Sequence, residues 1–296
     1  MKHCLEIKNI RKEYGDKVAI DSISLAVKKG SIFGLLGPNG AGKTSLIRII
    51  NQIIGPDKGE LFFNGQALNR QHIHKIGYLP EERGLYKNMK VGEQCLYLAQ
   101  LKGLYKDEAK AKIYYWFKRL DILDWLHKKV EELSKGMAQK VQFISTVIHE
   151  PELIILDEPF SGFDPINSKI IKQEILKLKE NGATIILSTH RMESVEELCD
   201  DIVLIHNGQS VLNGNVMAIK QHYKKDIYEI KYKGDLKNLH GFDVISDKDK
   251  IALVKSKKME SSNDLLQQLI SQVDILNFNE VLPSINDIFI QTVNHE

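Results

Sequence analysis

No stretch of this chain approaches the roughly 18–20 consecutive apolar residues needed to cross a bilayer. Work at a membrane would therefore require spanning helices from another chain. The first residues, Met1-Lys2-His3-Cys4-Leu5-Glu6, lack the apolar core of a secretory signal. Cysteine is scarce. Cys4, Cys95 and Cys199 stand far apart without metal-ligand spacing, and a reducing cytosol is the expected setting. An excess of one charge is missing too. The 41 basic and 39 acidic residues leave +2, so no nucleic-acid partner is expected. The lysine-rich stretches at 224–225 and 255–258 read as solvated faces. There is no internal repeat and no low-complexity segment. The 296 residues, 43% hydrophobic and 27% charged, suit one large soluble domain with an appendage, or two domains.

What is present centres on Gly37-Pro38-Asn39-Gly40-Ala41-Gly42-Lys43-Thr44, a G-x-x-x-x-G-K-T motif. The apolar run at 32–36 before it fits a buried strand, and Ser45-Leu46-Ile47-Arg48-Ile49-Ile50 after it fits a helix start. Glycines let the loop aim its N–H groups inward, where they and the positive helix end cradle phosphates. Lys43 reaches the β- and γ-phosphates, and the Thr44 hydroxyl is placed to ligate Mg²⁺. A plain connecting turn is the other reading. The strand–turn–helix context favours a bound nucleoside triphosphate.

Strands are expected at 5–10, 20–27, 60–64 and 76–79, with Asn64-Gly65 turning a hairpin. Tyr14 alone reads as packing; beside a nucleotide it is placed to stack on adenine. From about 91 to 133 the spacing becomes helical, and Tyr114-Tyr115-Trp116-Phe117 reads as core of a helical subdomain. Ser134 is placed to cap a helix whose apolar face is Met137, Val141, Ile144 and Ile148. On its own that is an ordinary capped helix.

Leu153-Ile154-Ile155-Leu156 is a strand buried on both faces, as in a parallel sheet, and it ends in Asp157 and Glu158. Ligands of open α/β sheets bind at such carboxyl ends. Asp157 suits Mg²⁺, and Glu158, pointing differently, suits a general base for the attacking water. A further buried strand at 183–187 ends in Ser188-Thr189-His190, which places His190 to contact a γ-phosphate. Asn207-Gly208 turns a closing hairpin.

In this order and spacing the motifs resemble those of the ATP-binding subunits of ABC transporters over roughly residues 1–220. The resemblance implies that Tyr14 stacks on adenine and that 37–44, with Ser45, is the Walker A loop. Asp157 then ends Walker B, Glu158 is the catalytic glutamate, Asp164 the D-loop aspartate and His190 the switch histidine. Residues 133–137 are similar to the signature motif L-S-G-G-Q, with Lys135 and Met137 in place of a glycine and the glutamine. Ser134, Lys135 and Gly136 would meet the nucleotide of an opposite subunit. Glu81 stands where the family has a metal-reaching glutamine, and a carboxylate is a competent Mg²⁺ ligand.

The implied fold is α/β: a P-loop NTPase core with a mixed sheet, an antiparallel β layer and a helical subdomain at about 85–150. Residues 225–296, with strands at 228–232, 251–254 and 275–278 and helices at 264–270 and 284–293, form a small α+β accessory domain. That domain and Leu79-Pro80-Glu81-Glu82-Arg83-Gly84-Leu85-Tyr86 resemble the drug- and sodium-exporter branch. The expected activity is ATP hydrolysis with Mg²⁺, by a head-to-tail homodimer on the cytoplasmic face of the membrane. It would drive export through a separate transmembrane permease. A soluble mechanoenzyme and a nucleotide-sensing regulator are the other classes compatible with the motifs.

Overall fold

The computed structural model describes residues 3–82, 84–257 and 260–294. The chain divides into two compact units, Met1–Asn215 and Val216–Glu296.

In the first unit, β1 (His3–Tyr14) and β2 (Lys17–Lys28) follow the alternating sequence pattern, with buried positions facing one side. β3 (Ile32–Leu36), buried throughout, leads through the glycine loop into α1 (Lys43–Ile50). β4 (Lys58–Phe63) and β5 (Gln66–Ala67) turn about Asn64-Gly65, and β6 (Ile76–Leu79) stops before Pro80. Three helices follow: α2 (Val91–Leu101), α3 (Lys106–Arg119) and α4 (Lys135–Val147). Then come β7 (Leu153–Asp157), α5 (Pro165–Glu180), β8 (Thr184–Ser188) and α6 (Met192–Leu198). β9 (Asp201–His206) and β10 (Gln209–Asn215) close the unit.

Two sheets result. One is antiparallel in the order β2-β1-β4-β5; the other runs β10-β9-β3-β8-β7-β6. In the second sheet every pair is parallel except β10 with β9. Leu46, Ile47 and Ile50 of α1 share one core with Ile7 and Ile20 from the first sheet and Phe33 and Ile155 from the second. Each such side chain, fully buried, contributes roughly 1.5–3 kcal/mol.

Register sets the edge where chemistry gathers. Asp157 of β7 pairs with Ser188 of β8, Leu35 of β3 also pairs with Ser188, and Leu79 of β6 pairs with Leu156. The carboxyl ends of four parallel strands are therefore level. The glycine loop, Glu81, Glu158 and His190, each just beyond one of those ends, emerge along a single edge.

The second unit comprises α7 (Val216–His222), β11 (Ile227–Gly234), β12 (Phe242–Lys248), β13 (Ile251–Ser256), α8 (Ser262–Ile270), β14 (Val273–Val281) and α9 (Ile285–Asn294). Its antiparallel sheet has the order β12-β13-β11-β14, and Leu265 and Leu269 of α8 join Tyr228, Ile230 and Val254 in its core. Two details differ from the sequence reading. β12 is an additional edge strand, and the aromatic run divides: Trp116 and Phe117 are buried, whereas Tyr114 and Tyr115 are exposed.

Candidate functional site

The loop between β3 and α1 has a shape only glycine permits at its two ends. A Cβ on Gly37 would lie 2.1 Å from the Ile205 carbonyl oxygen. One on Gly42, at φ +114°, would lie 2.4 Å from that of Ala19. Lys43 opens α1 and is 8% exposed; its Nζ donates to the carbonyls of Gly37 (2.7 Å) and Pro38 (3.0 Å). Burial lowers the Lys43 pKa, against the opposing pull of Glu158, Asp157 and Glu81.

In front of the loop lies a cavity of about 340 Å³. Tyr14, Asn39, Gly40, Gly42, Lys43, Thr44 and Ser45 line it together with Glu81, Asp157 and Glu158, all singled out from sequence. Lys17 and Ala19 complete the wall. Tyr14, the last residue of β1, is 46% exposed, with the Lys12 ammonium 5.6 Å from its ring centre. Gly37 and Ala41 are buried beneath the loop, and Pro38 is exposed on it.

The carboxylates differ in surroundings. Asp157 is 4% exposed, and burial, reinforced by Glu81 and Glu158, raises its pKa while Lys43 pulls it down. Glu158 is 8% exposed and adopts φ 48°, a left-handed conformation uncommon outside glycine. Its N–H donates to the Ser188 carbonyl at 2.8 Å. Its Oε1 accepts from the His190 N–H at 2.8 Å and lies 2.7 Å from His190 Nδ1; its Oε2 accepts from Thr189 Oγ1 at 3.1 Å. The His190 side chain is 62% exposed, so an Nδ1–H donated to Glu158 leaves Nε2 toward solvent.

Ser134, Lys135, Gly136 and Asp164 do not line this cavity. Ser134 caps α4 and accepts from the Met137 N–H at 3.3 Å. Asp164 caps α5, accepting from the Asn167 N–H (2.8 Å) and Nδ2 (2.6 Å), and these bonds hold its carboxyl below the usual range. The signature and D-loop segments touch within one chain: a Cβ on Gly162 would fall 2.7 Å from Cγ and Cε of Lys135. Thr189, which no motif singles out, also holds Glu158. Its signal was a hydroxyl beside the histidine at a strand end.

Residues 20–161 match the family model described as ABC transporter, and residues 214–293 match that of the DrrA1-3-like ATP-binding protein C-terminal domain. Over 294 residues the chain is 42% identical to the ABC transporter ATP-binding protein YhaQ of Bacillus subtilis (strain 168), covering 98% of each. The chain belongs to the ABC transporter ATP-binding family. It is also 35% identical over 213 residues to the linearmycin resistance ATP-binding protein LnrL of Bacillus subtilis (strain 168), 71% of this chain and 68% of that one. A solved ATP-binding subunit of an ABC transporter superposes with a TM-score of 0.70 at 30% identity, covering 74% of this chain and 93% of that one. This ABC protein thus has the P-loop core, antiparallel layer and added C-terminal domain that its sequence implied, in the drug-exporter-type branch.

Nucleotide and metal fit this chain's donors in different ways. The glycine-shaped cradle and Lys43 suit a polyphosphate, and Tyr14 offers a face to a base. Among the described residues no group of three His, Cys, Asp or Glu side chains forms a cation cage. Thr44, Asp157 and Glu81 instead give the sparse oxygen set that suits Mg²⁺ when phosphates and water complete its octahedron.

Proposed function

We propose that this ABC protein hydrolyses ATP to ADP and phosphate and thereby drives export through a separate transmembrane permease. The observation that carries the reading is Glu158, buried and held by Thr189 and His190 at the rim of the cavity that contains Lys43 and Asp157. In this reading the Gly37, Pro38, Asn39, Gly40, Ala41 and Gly42 backbone, Lys43, Thr44 and Ser45 hold the phosphates. Tyr14 stacks on the adenine. Glu158 takes the proton of the attacking water as general base, and His190 contacts the γ-phosphate. Thr44, Asp157 and Glu81 would hold Mg²⁺, which would supply positive charge against the phosphate oxygens.

Two copies pair head to tail, so that Ser134, Lys135 and Gly136 of one face the phosphate loop of the other, with Asp164 near the join. The positions of those residues outside the cavity of their own chain support this reading. Residues 1–220 are the ATPase domain, and 225–296 an accessory domain. No helix among the described residues is long and apolar enough to cross a membrane. A second cavity of about 440 Å³, lined by Ile53, Tyr78, Leu85, Leu98 and Leu101, offers an apolar seat for the permease at the cytoplasmic face. The resistance function in the name of LnrL supports export.

A pull-down of the tagged full chain in mild detergent, with partners identified by mass spectrometry, tests the coupling. A multi-span membrane protein released or retained according to ATP state is the expected partner. Recovery of ribosomes, DNA or the chain alone would move the function to a mechanoenzyme or regulator.

A further inference from the structure

α4 buries two amide side chains, Gln139 and Gln142, three residues apart and therefore on one face. Gln142 Nε2 donates to the carbonyls of Pro80 (3.2 Å) and Glu82 (3.3 Å), the two residues on either side of Glu81. Gln139 Nε2 donates to the Pro159 carbonyl at 3.4 Å, directly after Glu158. Burying an amide is unfavourable unless its hydrogen bonds are made. Gln142 uses its Nε2 donors while its buried Oε1 has no partner among the described residues, so an apolar residue would fill the same face at less cost. The helix also lies tight against β6: a Cβ on Gly77 would fall 2.4 Å from the Thr146 carbonyl oxygen. α4 and the strand that delivers Glu81 are consequently locked side by side.

We infer that Gln142 is a positioning residue that fixes the Glu81 carboxylate in the nucleotide cavity. The inference rests on the reading of Glu81 as a Mg²⁺ ligand. Glu81 sits on a short loop past the end of β6, and the Gln142 amide grips the backbone on both sides of it. Gln142 does not line the nucleotide cavity but borders the neighbouring cavity of about 440 Å³, so any effect on the nucleotide site passes through the backbone that carries Glu81. The same helix is capped by Ser134, eight residues and about 12 Å away along its axis. A displacement felt at Ser134 therefore reaches Glu81 through one rigid helix. No local pattern marks this link, because a glutamine among α4's charged and polar residues reads as solvent-facing.

The test is ATP hydrolysis by the full chain across a Mg²⁺ titration, for the wild type, Glu81→Gln, Gln142→Met, Gln142→Leu and the double variant Glu81→Gln/Gln142→Met. ATP binding in EDTA and thermal melting are measured alongside. Gln142→Met should raise the Mg²⁺ concentration for half-maximal activity about tenfold, in the same direction as Glu81→Gln. ATP binding without Mg²⁺ should stay within about twofold, and the double variant should be no worse than Glu81→Gln alone. If Gln142→Met melts early, Gln142→Leu, likewise without donors and uncharged, carries the comparison. An unchanged Mg²⁺ requirement in both Gln142 variants, beside a shifted one in Glu81→Gln, would overturn the inference alone. A silent Glu81→Gln would remove the metal reading of Glu81 and this inference with it.

Discussion

Glu158 Oε1 lies 2.7 Å from Nδ1 of His190 and accepts a 2.8 Å bond from the N–H of the same residue. Side chain and backbone of one residue thus converge on a single carboxylate oxygen. The pairing of Asp157 with Ser188 across β7 and β8 makes this possible, because it brings the residues after both strands to the same height. The left-handed turn at Glu158 then separates its side chain from that of Asp157.

Thr189 is the third hold on Glu158, through the 3.1 Å bond to Oε2, and it also accepts the Arg191 N–H at 3.1 Å. Thr189→Val keeps the shape and removes both. Steady-state ATPase assays should show kcat reduced about tenfold with little change in KM, the mark of a misplaced base. Thr189→Ser should restore most of it.

Gly42→Ala places a methyl group against the Ala19 carbonyl at a φ that L residues rarely adopt. Strain of about 1–3 kcal/mol is expected from the backbone alone. Titration with a fluorescent ATP analogue should show nucleotide binding lost, while circular dichroism shows the fold retained.

Asp157 carries a raised pKa because burial, with Glu81 and Glu158 nearby, disfavours its charge. A carboxyl whose folded pKa lies above its ordinary 3.8 opposes folding once pH rises through the folded value. Asp157→Asn should therefore raise the melting temperature of the nucleotide-free chain at neutral pH and abolish Mg²⁺-dependent turnover. The gain should shrink as pH falls toward 3.8.

His149 behaves oppositely. Burial, followed by the Lys102 charge, lowers its pKa from 6.5 to about 4, so the fold holds it neutral. Its contribution is complete above 6.5 and is lost as pH falls toward about 4. That loss is on the order of 3 kcal/mol at most. Urea unfolding from pH 7 to 4 should show stability falling in that window, and His149→Gln should flatten the curve.

Much of this molecule was legible in the chain itself. Unbroken apolar runs marked β3 and β7, and the spacing from Gly37 to Thr44 marked the phosphate loop, since few other structures need those residues together. The features that local pattern does not mark are polar or thinly patterned. β12 buries little besides Phe242, as an edge strand can, so its sequence shows no clear alternation. Gln142 and Thr189 are hydrophilic residues whose burial depends on tertiary packing, which local periodicity does not encode. Tyr114 and Tyr115 share an aromatic run with Trp116 and Phe117, and only the rotation of α3 separates the exposed pair from the buried one.

In the proposed function, Glu158 activates water for ATP hydrolysis. The most direct measurement compares phosphate release by the wild type and by Glu158→Gln, with ATP binding and dimer formation followed in parallel. Glu158→Gln should bind ATP and dimerise while turning over at least about 100-fold more slowly. Turnover equal to the wild type would remove Glu158 from the chemistry.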